Sequence, residues 1–299
     1  MTLKQLLKKA TDKTNFQTVQ HYIDFSSAYL DFIAENLQAV IVSQNENHYQ
    51  FYQYKKEGNF NVTRPINSSL MYESNQFDRA KKKFKKIIAN LEENDSKETR
   101  QMLNNAVYTI QQSIGATLDA LPANRSNTAR KIAGDLFERF IRLLLHDVGV
   151  DCTSGVVNIP VIINGEEAFK MSYQHDLIIK HGEILKAIGS VKTSSKDRLD
   201  KIFIDKFLYN KLTETSVPHF AVFLNDIQRK NGRSKGKYGV SATFLPGHFK
   251  GYTVKLNPLD GVYYCDIRPN MLTDAILKDS IKTFDCLLFD DIWSMLKSK

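Results

Sequence analysis

Two carboxylates, a lysine and a serine stand at spacings that could do phosphate chemistry. Lys192 lies in "GSVKTSSKDR" (189–198), and Ser190, two residues before it, shares its strand face while Val191 packs on the other side. A lysine aimed inward at the end of a strand needs an anionic partner. The nearest is Asp176, which opens "HDLIIK" and is joined to the lysine strand by a short turn. A carboxylate and a lysine at the ends of paired strands are half of a metal-dependent phosphodiesterase centre. The carboxylate holds Mg²⁺, and the lysine orients or activates a water and offsets charge on the pentacovalent phosphate.

A second carboxylate is required, and Ser190, where many such centres carry Asp or Glu, cannot supply its charge. Asp205, 13 residues beyond Lys192, and Glu138 in "GDLFERF" are the two acids that could fill the gap. Local readings stand beside these: Glu138 pairing with Arg142 one helical turn on, and Asp205 as a solvent-facing residue near Lys201 and Lys206. The strand geometry sets its own condition. A hairpin turning at His181-Gly182 pairs Asp176 with Ala187, three residues short of Ser190, a gap of roughly 10 Å. A bulge, splay or strong twist must close it, and Gly189 is a natural place for a bulge.

The elements that must hold these residues are legible in the pattern. Residues 1 to about 118 read as mostly helical, from the three- and four-residue apolar spacing in "VQHYIDFSSAYLDFIAENLQAVIV", "FDRAKKKFKKIIANLEE" and "TRQMLNNAVYTIQQSI". "HYQFYQYKKEGNFNVT" interrupts them as a hairpin turning at Gly58-Asn59. The lysines of 81–86 fall on the solvated side of an amphipathic helix whose apolar side is Phe77, Phe84, Ile87, Ile88 and Leu91. Pro122 and the polar cluster after it place a boundary near 120, giving a helical N-terminal region (1–120) and a second domain (121–299). That second domain opens with a helix from about Ser126 to His146. "VVNIPVII" and "EAFKM" then flank a type I′ turn at Asn164-Gly165, followed by "DLIIK", "EILKAIGSVK" and the helix "RLDKIFIDKFLYNKLT". A buried strand "HFAVFLN", a Gly/Lys/Arg loop at 228–239, strands at "YGVSATFL", "YTVKLN" and "VYYCDI", and the helix "TFDCLLFDDIWSML" complete it. The fold class is α/β (α+β), a central mixed sheet flanked by helices with a mainly helical N-terminal region.

Composition narrows the function. The 299 residues are 42% apolar and include 18 Phe and 13 Tyr, enough for one large or two ordinary cores, and the net charge is +8. An anionic partner is expected from that charge. Three widely separated cysteines, Cys152, Cys265 and Cys286, suit neither a disulfide framework nor a zinc pattern and point to a reduced, cytoplasmic setting. No export signal and no 18-residue apolar run is present, so no membrane partner is expected. The histidines 146, 175, 219 and 248 show no pair at ligand spacing.

Asp176, Ser190-Val191-Lys192, Asp197-Arg198, an acid at 205 and the upstream Glu138 together resemble the type II restriction endonucleases of the PD-(D/E)XK superfamily that recognise a CCGG or CC-N-GG core, the SsoII, EcoRII and NgoMIV group. In that group a serine replaces the acid before the lysine and its role moves to an acid on the next helix. The resemblance spans about 134–206. It implies Asp176 and Asp205 as metal ligands for Mg²⁺, Lys192 as the catalytic lysine with Ser190 beside it, and Glu138 as an additional acid. His175 stands where the superfamily has proline, and Asp205 where a glutamate is usual. The implied function is Mg²⁺-dependent cleavage of double-stranded DNA at a palindromic site by a homodimer, or by two dimers joined as a tetramer. A cognate DNA methyltransferase would act in the same system.

Arg198 can donate twice to guanine and Asp197 can accept from cytosine N4, and the pair can equally form a salt bridge or helix cap. Lys196 beside them, Arg229, Lys230 and Arg233 in the 228–239 loop, and Arg125 and Arg130 at a helix start are candidates for phosphate contacts. Other readings are a structure-selective or repair nuclease of the same fold, a non-catalytic DNA-binding protein, and a serine-lysine hydrolase. The last expects Ser-x-x-Lys on a helix rather than Ser-x-Lys on a strand.

Overall fold

The structure, a computed structural model, describes residues 1–54, 61–196, 198–234 and 236–297. The chain forms two compact units, 1–144 with 226–243, and 145–225 with 244–299.

In the first unit, α1 (Leu3–Thr11), α2 (Val19–Asn36), α3 (Ser74–Ala89), α4 (Lys97–Leu118) and most of α5 (Ser126–Asp147) surround a small sheet, β1 (Leu37–Val42), β2 (Tyr49–Tyr54) and β3 (Ile66–Asn67). Caps start these helices where the sequence offers them: Thr18 and Ser96 accept from the third helical N–H of α2 and α4. The expected first helix stops at Asn36 instead of running to Val42, and its tail becomes β1, antiparallel to β2. β-branched Val40, Ile41 and Val42 alternate across the sheet, which suits a strand better than a helix. The hairpin turn expected at Gly58-Asn59 lies outside the described residues.

The basic segment expected as a loop is a third piece of this unit, the antiparallel pair β8 (Ile227–Asn231) and β9 (Tyr238–Ala242). Ile227 and Val240 are buried with Tyr49 and Phe51. The Asn45 side chain donates to Val240 O at 2.8 Å and accepts from Val240 N–H at 2.9 Å, acting as a short length of strand. The compact units divide at 144/145, and α5 buries Leu136, Phe137, Phe140 and Ile141. Tyr22 of α2 stacks on Phe140 and donates to Leu136 O.

The second unit is built on a six-stranded sheet. Its strands are β4 (Cys152–Ile163), β5 (Glu166–His181), β6 (Ile184–Ser194), β7 (His219–Asn225), β10 (Gly261–Tyr264) and β11 (Ile281–Thr283), in the order β11-β10-β7-β6-β5-β4. β6, β7, β10 and β11 are parallel, while β4, β5 and β6 are antiparallel neighbours. Every residue of β7 is buried, as a central parallel strand requires. On one face α6 (Leu199–Thr213) and α7 (Pro246–Lys255) bury Leu199, Ile202, Phe203 and Phe249 against Ala221, Phe223, Val262 and Tyr264. Each such side chain contributes roughly 1.5–3 kcal/mol. The other face meets the helical segment 284–297, where Tyr263 donates to Asp291 at 2.7 Å. "YTVKLN", expected as a strand, lies largely in α7, because Pro246 at its first turn and the apolar Phe249 and Tyr252 at helical spacing set the local structure.

Candidate active site

Asp176 and Lys192 meet. The Lys192 ammonium donates to Asp176 Oδ2 at 2.5 Å, and the Val191 N–H donates to the same oxygen at 2.8 Å. The carboxylate is 12% exposed and the lysine side chain 28%, so the pair sits at the edge of the core. Among the described residues no hydrogen bond reaches Oδ1, which leaves that oxygen open for a further ligand.

Two irregularities bring the pair together, neither of them at Gly189. The turn centres on Gly182-Glu183, one residue later than expected, with Gly182 at a φ of +61°, so that His181 pairs with Ile184. Between Lys180↔Leu185 and Ile179↔Ala187 the register slips again and Lys186 becomes an extra residue. Leu177 then faces Gly189, and Asp176 falls opposite Ser190. Gly189 serves close packing: a Cβ there would lie 2.5 Å from the Phe220 ring and 2.9 Å from Leu177.

A second bulge lies between Thr153↔Ile178 and Gly155↔His175, where two residues of β5 oppose one of β4. It breaks the strand alternation, so adjacent His175 and Asp176 both face α6. His175 packs edge-on to Tyr209 and His219 at ring separations of 6.1 and 6.4 Å and lies parallel to Tyr173. The histidines are thus paired through space by strand register (Ile188↔His219) and not by sequence spacing. Nε2 of each is buried without a partner. Burial pushes the His175 imidazole below its ordinary value against the pull of Asp205 and Asp176. It pushes His219 down to about 4. These rings form a neutral wall behind the carboxylate.

Asp205 lies on the α6 flank turned toward β5. Its charge acts on His175 and adds to the burial that raises the Tyr173 hydroxyl. Lys201, one turn earlier, donates to it. Ser190 shares the sheet face of Lys192, and the Lys206 expected beside Asp205 turns away, buried against Asp260 and Pro258 O. Glu138 belongs to the first unit, half-buried on α5.

Among the described residues no group of three His, Cys, Asp or Glu side chains converges to hold a metal. The open Asp176 oxygen is of the kind taken by a cation that binds through one or two protein carboxylates and completes its shell with water and phosphate, as Mg²⁺ does.

The surrounding basic residues separate into two kinds. Arg198 is the N-cap residue of α6 and is exposed, as is Lys196, whose N–H is held by Ser194 Oγ at 3.2 Å. Asp197 lies outside the described residues. Lys230 and Arg233 are exposed, as are Arg125 and Arg130 at the start of α5. Arg229 differs: its guanidinium donates to Val62 O and Thr63 O and packs over Tyr238, so it fastens β8 within the unit.

The two units carry the restriction-endonuclease fold, a central mixed sheet flanked by helices. The chain is similar to the crystal structure of the Type IIP restriction endonuclease Kpn2I, with a TM-score of 0.70 at 20% identity, over 99% of this chain and 97% of that one. At that identity the likeness shows the fold alone. It also aligns with a complex of the restriction endonuclease PspGI and substrate DNA, with a TM-score of 0.37 and 13% identity over 73% of this chain and 92% of that one, too low a shape agreement to bear on function. No protein-family model and no curated protein matches the sequence. Among the described residues no helix is long and apolar enough to cross a membrane.

Proposed function

We propose that the chain is a type II, site-specific deoxyribonuclease that hydrolyses phosphodiesters of double-stranded DNA at a palindrome with a CCGG or CCNGG core. The observation that carries this reading is the Asp176–Lys192 pair on the antiparallel neighbours β5 and β6, beside the last paired residues Leu177 and Gly189, with one carboxylate oxygen open. Asp176 and Asp205 would hold Mg²⁺, which when bound supplies Lewis-acid stabilisation of the phosphoryl oxygens and lowers the pKa of a water. Lys192 offsets negative charge developing on the phosphate and orients the attacking water. The wall formed by His175, Tyr173, Tyr209 and His219 excludes bulk solvent from behind the carboxylate. Ser190 contributes size and no charge, so the second acidic function rests on Asp205, with Glu138 as an additional acid.

Arg198 with Asp197 reads a G·C pair, and Lys196, Lys230, Arg233, Arg125 and Arg130 contact phosphates. A palindromic site implies a two-fold homodimer, or two such dimers, each subunit cutting one strand. A partner methyltransferase would protect host DNA.

The test is digestion of a sequenced plasmid by purified protein with Mg²⁺, mapping the ends beside Lys192→Ala and a chelator control. Discrete cuts at a CC…GG palindrome, lost in both controls, are expected. A smear without preferred ends would establish a structure-selective nuclease of the same fold, and binding without cleavage a DNA-binding protein.

A further inference from the structure

Beyond His175, β5 runs on from the sheet with only β4 beside it: β6 pairs with β5 from Leu177 to His181, whereas β4 pairs with it from Glu166 to Ile179. The overhang is a two-stranded ribbon about 30 Å long at a strand rise of roughly 3.3 Å. One face is apolar throughout, with Val157 opposite Tyr173, Ile159 opposite Met171 and Val161 opposite Phe169. The inner half of that face is covered by α6 through Tyr209, Leu208 and Leu212. Its outer end is not: Ile163 and Phe169 are each more than half exposed. A lone two-stranded ribbon is marginal in water unless its apolar face is covered.

The remaining exposed apolar residues on α6 are Ile204 and Phe207, on the side turned away from the sheet, with exposed Lys211 one turn beyond Phe207. Charge chooses the occupant. At the ribbon tip Glu167 pairs with Lys170 at 3.7 Å, which leaves Glu166 as the negative charge there on a chain of net charge +8, so Glu166 attracts the chain's own basic surface. Among the described residues neither Glu166 nor Lys211 has an ion-pair partner. Pro160 in β4 removes a donor from the outer edge, which disfavours strand addition and favours side-chain packing.

We propose that the ribbon tip of one copy packs against the outer face of α6 of a second copy, Phe169 and Ile163 on Ile204 and Phe207 with Glu166 beside Lys211. The exchange is reciprocal about a two-fold axis, as an isologous dimer requires. This rests on the homodimer of the proposed function and assigns its interface. The experiment is sedimentation velocity on the full chain over a concentration series, without DNA or metal, so that its outcome is independent of cleavage. Wild type sediments as a dimer. Phe169→Asp and Phe207→Asp each raise the dimer Kd at least about tenfold, with unchanged circular dichroism. Glu166→Lys and Lys211→Glu, both at exposed positions where folding is not at stake, each weaken the dimer, and the two together restore it. A monomeric wild type, a dimer indifferent to the tip substitutions, or a charge swap without recovery would each overturn the interface. A protein that cuts DNA while monomeric overturns only this inference, and a dimer that never cuts overturns only the nuclease.

Discussion

Two partly buried ion pairs, one in each unit, show how the same attraction can close a structure or leave it open. Arg64 meets Asp119 through Nε to Oδ2 and Nη2 to Oδ1, both at 2.9 Å, while its own N–H donates to Oδ2 at 2.7 Å. Burial works against the guanidinium charge and Asp119 outweighs it, holding the pKa above the ordinary value. Both carboxylate oxygens are used, which is what a planar fork does well. At Asp176 the ammonium of Lys192 and the Val191 N–H converge on one oxygen and leave the other open. A lysine is a point charge, so it can hold a carboxylate in place without saturating it. The first pair is an anchor. The second leaves one carboxylate oxygen unused among the described residues.

The largest effect should therefore come from the second pair and appear in rate. Lys192→Ala is expected to lower DNA cleavage about 10⁴-fold while costing less than about 2 kcal/mol of stability, since Asp176 keeps the Val191 N–H and a path to solvent. Single-turnover cleavage beside a urea melt measures both. The contrast is Arg64→Ala, which leaves Asp119 without its partner and is expected to cost about 3–5 kcal/mol of stability. The folded fraction of that variant should keep its specific activity. If Arg64→Ala destroyed catalysis in folded protein, or Lys192→Ala unfolded the chain, the division between anchor and open pair would collapse.

The ring wall behind Asp176 sharpens the comparison, because there burial works against charge on the imidazoles themselves. His219 has a folded pKa of about 4 against about 6.5 unfolded, from burial first, with His175 and Lys206 adding to the depression and Val217 O and Asp260 opposing it. As pH falls from 6.5 toward 4 the unfolded chain gains a proton that the folded chain refuses, so stability drops with acid, by about 3 kcal/mol when pH 4 is reached. His219→Gln should flatten that part of the stability profile by about one proton. Denaturation midpoints measured across pH 4–7 decide it, and an unchanged slope would place the acid sensitivity elsewhere.

Much of this was legible in the sequence because the local signals agree with the fold. Asn164-Gly165 turns with both residues at positive φ, β7 is the buried run "HFAVFLN", and α6 follows the lysine strand where its apolar spacing begins. The pairing of Asp176 with Lys192 follows from chemistry alone. What sequence could not supply was register. A one-residue shift of the turn and one extra residue at Lys186 have no compositional mark, yet they carry Asp176 to Ser190. The His175–His219 contact depends on the same register. Segments whose pattern fits two periods went astray for a related reason: "QAVIV" continued a helical spacing but had β-branched residues, and "YTVKLN" alternated but followed Pro246 into a helix.

The smallest effect concerns a third pair. Lys201 donates to Asp205 from the preceding turn of α6, and its side chain is 66% exposed. Solvent screens such a pair, so Lys201→Ala should change stability by less than about 0.5 kcal/mol. Its effect on rate separates two roles for Asp205. As a metal ligand, Asp205 must release the ammonium, and removing a competitor leaves cleavage unchanged or raises it and lowers the Mg²⁺ concentration for half-maximal rate. As a surface acid, Asp205 is indifferent to Mg²⁺, and neither Lys201→Ala nor Asp205→Asn moves the metal titration. Titrating Mg²⁺ with both variants beside wild type distinguishes the outcomes, and an unmoved midpoint in Asp205→Asn would remove Asp205 from the proposed metal ligands.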